Sequence, residues 1–190
     1  MTEQAKRELR ERLEKLDAEL DGLLAVQYGV DPAAKDPYAK WRTSHQPFHW
    51  LVEFYGIMHR GGFDAIIGNP PYVELRELTS YRLLNYSCLD CGNLYAVVLE
   101  RCGGLTSESG RQGFIVPVSS VSTDRYVSLQ RMLRGRDLHY SSYDDRPSRL
   151  FDGLEHIRLT IQLVGTKPAP VLHALQQMGR GGARLSISES

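Results

Sequence analysis

Residues 61–75 read GGFDAIIGNPPYVEL. The aliphatic run Ala65-Ile66-Ile67 stops at Gly68 and meets Asn69-Pro70-Pro71-Tyr72. Proline has no N–H to give to a sheet ladder, so two in a row end a strand. The spacing predicts a buried strand over 63–68 that finishes in a carboxamide, a rigid diproline and an aromatic ring.

Those groups suggest a chemistry. A carboxamide offers an acceptor oxygen and an NH2 donor, and the Pro70 carbonyl is a second acceptor. Proline fixes φ near −65°, so that carbonyl is aimed with little freedom. Tyr72 adds a flat face. Two acceptors beside an aromatic face suit a planar ring with an exocyclic amine, such as adenine, and stacking is worth roughly 1–3 kcal/mol. Holding both N–H bonds of an amine directs its lone pair at an electrophile and stabilises the positive charge that develops. Amino-group methylation from S-adenosylmethionine follows this logic. A base inside duplex DNA would first be flipped out of the stack. Asn-Pro also opens ordinary turns; the strand end in front of it favours a ligand site, because open α/β sheets bind at the carboxyl ends of strands.

The 190 residues suit one domain with an appendage. Hydrophobic content of 42% supports a real core. Lys plus Arg equals Asp plus Glu at 23 each, so global charge gives no reason to expect nucleic acid. No membrane-spanning run and no signal peptide are visible, which makes a cytoplasmic protein the expectation. Cys88 and Cys91 have the spacing of half a zinc site, but Cys102 does not complete it; buried thiols and no metal are expected.

Leu9, Leu13, Leu16, Leu20 and Leu23 predict a helix over 3–24, too short a repeat for a self-sufficient coiled coil. Gly29, Pro32 and Pro37 suggest a turn-rich connection, and the aromatic 47–62 segment an irregular piece or short helix. Downstream, 92–102 reads as a helix, 104–112 as a loop, 113–118 as a buried strand, 123–133 as a helix and 157–165 as an alternating strand. After Pro168 come a short helical pattern and a flexible-looking tail. Alternating strands and helices make the class α/β, divided as 1–46 (helical extension and linker), 47–167 (main domain) and 168–190 (short helix and tail).

The segments PFHWLVEFYGIMHRGGFDAIIGNPPYVEL, GNLYAVVLERC, GRQGFIVPVSSVST and YDDRPSRLFDGLEHIRLTIQLVG resemble, in order, adenine-specific DNA methyltransferases of bacterial restriction–modification systems. Eco57I-like methylases and fused restriction–methylase polypeptides are the most similar in kind. The likeness covers roughly residues 8 to 167. It implies a partial Rossmann-like methyltransferase sheet, S-adenosylmethionine as cofactor, and double-stranded DNA with a flipped adenine as substrate. By the same resemblance Asn69 and Pro70 hold the amine, Pro71 completes the mount and Tyr72 stacks on the base. Phe151 matches the aromatic on the opposite face, with a core phenylalanine as the alternative. Arg146 and Arg149 could touch phosphate, or lie in a solvated loop beside Asp144 and Asp145. Ser119, Ser120 and Thr123 could contact DNA or cap a helix.

The family's glycine-rich cofactor turn, which precedes its Asn-Pro-Pro-Tyr motif, has no match among Gly61-Gly62, Gly103-Gly104 or Gly179–Gly182. The chain therefore reads as the later portion of a methyltransferase: a fragment, a remnant, or one piece of a split enzyme completed by a partner chain. Alternative readings are a non-catalytic DNA-binding or assembly module, and a methylase of protein glutamine or RNA.

Overall fold

The computed structural model describes residues 2–144, 150–151, 157–165, 178–179 and 182–186. It divides into two compact units, 1–60 and 61–190. Among the described residues no helix is long and apolar enough to cross a membrane.

The first unit opens with α1, Glu3–Gln27, whose first turn is capped by the Thr2 hydroxyl accepting from the Ala5 N–H. The leucine pattern located this helix, but Leu9, Leu13, Leu16 and Leu23 stay exposed. The helix is anchored through buried Asp21 and Ala25 instead. Asp21 binds Arg42 at 2.8 Å and His49 at 2.9 Å, which satisfies a carboxylate only 4% exposed. The expected turn-rich connection contains a helix, α2, Lys35–His45. Pro37 is its third residue, a position whose N–H has no intrahelical partner, so proline costs little there. Trp41 of α2 is buried and packs against Tyr28, Tyr38 and His45. The aromatic segment forms two single-turn helices, α3 (Trp50–Glu53) and α4 (Tyr55–Met58).

The second unit is built on a six-stranded mixed sheet. Its strands are β1 (Phe63–Gly68), β2 (Thr106–Pro117), β3 (Leu138–Tyr143), β4 (Leu159–Val164), β5 (Met178–Gly179) and β6 (Gly182–Ser186), in the spatial order β1-β2-β4-β3-β6-β5. β1 and β2 are parallel, and the chain between them forms α5, Leu94–Leu105; a parallel pair requires such a crossover. All other pairings are antiparallel. The α/β class is the observed one.

Four local expectations are corrected. Residues 104–112 are not a loop: α5 ends at Leu105 and β2 starts at Thr106. Their polar character comes from an irregularity in which Phe63 pairs with Thr106 but Ala65 with Arg111. The intervening bend folds over buried Gly110, where an added Cβ would come within 2.7 Å of the Phe63 carbonyl. The 123–133 helix is shorter than expected: a 3-10 turn, Asp124–Tyr126, precedes α7, Val127–Leu133, and a short α6, Ser119–Ser122, comes before both. β3, with the polar sequence LHYSSY, was not anticipated. The tail contains β5 and β6; the rest of the expected 168–190 helix and tail lies outside the described residues.

β1 also differs from the buried strand its composition suggests. It is an edge of the described sheet; Ala65 is exposed, and Ile67 is 84% exposed. Only Phe63 and Ile66 are partly covered, Ile66 against the core. That core lies on one face of the sheet and joins Phe114 and Val116 of β2, Val164 of β4, Tyr95, Ala96 and Leu99 of α5, Tyr126, and Leu129 and Leu133 of α7. Entry to β1 depends on Gly62. Its φ is +115°, and a Cβ there would sit 2.5 Å from the Leu105 carbonyl, so no larger residue fits without a shift.

Candidate functional site

Asn69-Pro70-Pro71-Tyr72 leaves the carboxyl end of β1 directly beside β2, where the last parallel pair is Gly68 with Phe114. The strand ends there because neither proline can extend the ladder. Asn69 and Pro71 are exposed, Pro70 is buried and Tyr72 half-buried. The Tyr72 ring packs against the core edge-on to Tyr95, with centroids 6.1 Å apart, and Tyr95 stacks on Tyr126 at 5.3 Å. The Tyr72 hydroxyl lies 2.7 Å from the Asn69 side-chain oxygen, Oδ1, and 2.9 Å from the Ile115 main-chain carbonyl oxygen. Burial raises the Tyr72 pKa, so the phenol keeps its proton at neutral pH and remains a donor.

The chain leaving the site is tied to the start of α5. Leu94 donates to the Val73 carbonyl at 2.8 Å, and Leu75 donates to the Gly92 carbonyl at 2.9 Å. Between these bonds Glu74 and Asn93 form an antiparallel bridge. Asn93 is nearly buried; its oxygen caps α5 by accepting from the Tyr95 N–H, and its NH2 donates to Glu74 Oε1 at 3.2 Å. Arg125 closes the strap from the far side. Its Nε donates to the Cys91 carbonyl at 2.7 Å, its Nη2 to Glu74 Oε2 at 2.5 Å, and it lies over the Tyr126 ring. The hydrogen bond from Arg125, then that from Asn93, holds the Glu74 carboxyl below its usual range. Gly92, at φ +68°, makes room for the Arg125 guanidinium: a Cβ there would lie 2.5 Å from Nη2. The Asn-Pro-Pro-Tyr turn is thus gripped on both sides, by Tyr72 on β2 and by the Glu74–Asn93–Arg125 strap.

Phe151 is 37% exposed; Arg146 and Arg149 lie outside the described residues. Ser120 is buried, and the Thr123 hydroxyl donates to the Ser119 carbonyl instead of capping the next turn. Cys88 and Cys91 are fully buried, and burial pushes both thiols up. The Glu100 carboxylate accepts from the Ser87 and Cys88 N–H groups at 2.9 and 2.8 Å. Burial would raise its pKa, but these bonds bring it below the usual value.

For S-adenosylmethionine the described residues do not fit. An adenosyl and methionyl cradle needs a glycine turn between a strand end and a helix start. β1 instead leads through a diproline into a 3-10 turn, and Gly103 and Gly104 lie in the last turn of α5.

Residues 3–142 match the family model described as Eco57I restriction-modification methylase. That span is most of the chain and includes β1, the Asn-Pro-Pro-Tyr turn, the strap and β2. The chain belongs to the Eco57I restriction-modification methylase family. It is also 33% identical over 88 residues to a Methanocaldococcus jannaschii protein named as a type II restriction enzyme and methyltransferase. That match takes in 46% of this chain but 8% of the relative's length.

Within this methylase-family chain, reading the sequence located the turn but missed what holds it. Glu74, Arg125 and the Ile115 carbonyl gave no local signal. Only the Asn93 position before an apolar helix, a usual N-cap, was open to detection.

Proposed function

We propose that this chain carries the substrate-amine site of a DNA adenine-N6 methyltransferase of a restriction–modification system, with S-adenosylmethionine as methyl donor. The observation that carries the reading is the rigid Asn69-Pro70-Pro71-Tyr72 turn at the carboxyl end of a strand with a parallel neighbour. In this reading the Asn69 side-chain oxygen and the Pro70 carbonyl accept the two N–H bonds of a flipped adenine. They leave its lone pair free and stabilise the charge that builds on nitrogen. The exposed face of Tyr72 takes the base, and Phe151 closes the other side. Arg146 and Arg149 contact the flanking phosphates. Pairing β1 with β2 through α5, next to antiparallel strands, is compatible with a partial Rossmann-like methyltransferase sheet.

Residues 47–167 form the partial catalytic domain in this account, 1–46 a helical extension and 168–190 a tail. The methyl donor's cradle comes from a further segment or a partner chain. Exposed Ile67 and the open edge of β1 support that, since an aliphatic edge strand is normally paired or covered. The enzyme acts on cytoplasmic DNA.

The test is product analysis. The complete protein containing this chain is incubated with labelled S-adenosylmethionine and, separately, duplex DNA, RNA and glutamine-bearing release-factor substrates. N6-methyladenine from duplex DNA supports the reading. Label in RNA or protein alone assigns the site to another amine, and DNA binding without methylation points to a binding module.

A further inference from the structure

The Tyr72 hydroxyl has one proton and two neighbours at hydrogen-bond distance. The Ile115 main-chain carbonyl can only accept. If the phenol gave its proton to the Asn69 oxygen, the phenol oxygen and the Ile115 carbonyl would face each other as acceptors at 2.9 Å. Ile115 follows Phe114, the last β2 residue paired with β1. The oxygen and nitrogen of an asparagine head have the same shape, and only the hydrogen-bond network distinguishes them. One arrangement satisfies all three groups: the phenol donates to Ile115, and the Asn69 NH2 donates to the phenol. This arrangement turns the Asn69 head end for end relative to the structure, where Oδ1 faces the phenol, and the carboxamide oxygen then points away from Tyr72.

We propose that the Tyr72 hydroxyl is a positioning group that orients the Asn69 carboxamide, presenting its oxygen outward to an incoming exocyclic amine. This rests on the reading of the site as an amine clamp and adds a second task to a ring expected only to stack. Asn69 is exposed, so nothing but its neighbours' hydrogen bonds would stop its head from rotating and offering NH2 to an NH2. Such a rotated head cannot accept from the substrate. The diproline fixes the main-chain acceptor by covalent geometry, whereas the side-chain acceptor needs an external lock. Tyr72, three residues on and packed against Tyr95, supplies it from a ring that cannot itself move freely. The elevated pKa of the phenol keeps the lock protonated through the neutral range.

Tyr72→Phe tests this, because it keeps the ring and removes only the hydroxyl. In the complete methylase the variant is expected to lose about tenfold to a hundredfold in kcat with KM for DNA within about twofold. In the 190-residue chain, nitrogen-15 NMR of the Asn69 side-chain amide is expected to show one protected proton with a cross-peak to the Tyr72 ring, lost in Tyr72→Phe. A kcat within about twofold of wild type overturns the proposal. So does an Asn69 amide whose two protons exchange equally freely with and without the hydroxyl. If wild type transfers no methyl group to any amine, the clamp reading fails instead, and the amide spectrum alone decides whether the hydroxyl fixes Asn69.

Discussion

Replacing Arg125 by methionine removes the strap that holds the exit of the Asn-Pro-Pro-Tyr turn while keeping most of the side chain's length. Arg125 makes three contacts: a charge-assisted bond to the Cys91 carbonyl at 2.7 Å, the pair with Glu74, and a cation over the Tyr126 ring at 5.8 Å. The carbonyl bond dominates, at about 1.5 kcal/mol, because Cys91 is fully buried and its carbonyl has lost access to other donors. The pair with Glu74 adds only about 0.5 kcal/mol, since Arg125 is 45% exposed and water screens it. The ring contact contributes about as much again. Some of this is recovered as water reaches the carbonyl, so the expected loss is about 2 kcal/mol. Both tryptophans, Trp41 and Trp50, lie in the first unit; their fluorescence does not report on the strap. Urea unfolding is therefore followed by hydrogen exchange of amides in α5 and β2.

The pH dependence supplies a second signature. Glu74 has its carboxyl pKa lowered in the folded state. Its stabilising contribution is present above the unfolded carboxylate pKa and fades as pH falls through the lower folded value. The gap between wild type and Arg125→Met should therefore narrow, by about the 0.5 kcal/mol of the Glu74 pair, as the solution is acidified below the ordinary glutamate range, while the Cys91 bond and the ring contact keep the rest. A loss under about 0.5 kcal/mol at neutral pH, or a difference that does not shrink in acid, refutes the strap.

Other outcomes follow from the same structure. Leu99 is 1% exposed at the centre of the core, so Leu99→Ala should cost about 2–5 kcal/mol in denaturant unfolding. Gly62→Ala places a Cβ against the Leu105 carbonyl at a φ of +115° and should cost about 2 kcal/mol, read by thermal melting. Calorimetry with the 190-residue chain alone should find weak or no binding of S-adenosylmethionine; tight stoichiometric binding would mean that these residues build a cradle of another kind.

How much of this was legible in the sequence follows from the range of the interactions. β1 was readable to its bounds because an aliphatic run closed by glycine and two prolines has a single local solution. The four residues of the turn are consecutive, so their place at the end of β1 was readable too. α2 was hidden because proline marks helix starts as well as loops, and composition alone does not say which. The first half of β2 was hidden because its polar residues serve a bend over Gly110. β3 is polar and borrows its strand character from pairing with β4. The bracing of the site was the least legible part. Tyr72 reaches Ile115 across 43 positions and Arg125 reaches Glu74 across 51, and no local pattern encodes either. Exposure of β1 ran against its composition, since an aliphatic strand reads the same whether its second side is covered by this chain or another.

The most direct measurement of the central claim is turnover of the Asn69→Ala variant of the complete methylase on duplex DNA. Asn69 is an exposed residue at a strand end, so the substitution should leave the melting temperature within a few degrees of wild type. Losing the side-chain acceptor for the amine should reduce N6-methyladenine formation by about a hundredfold to a thousandfold, the scale of removing one transition-state hydrogen-bonding group. Wild-type turnover by a folded Asn69→Ala enzyme would contradict the amine clamp.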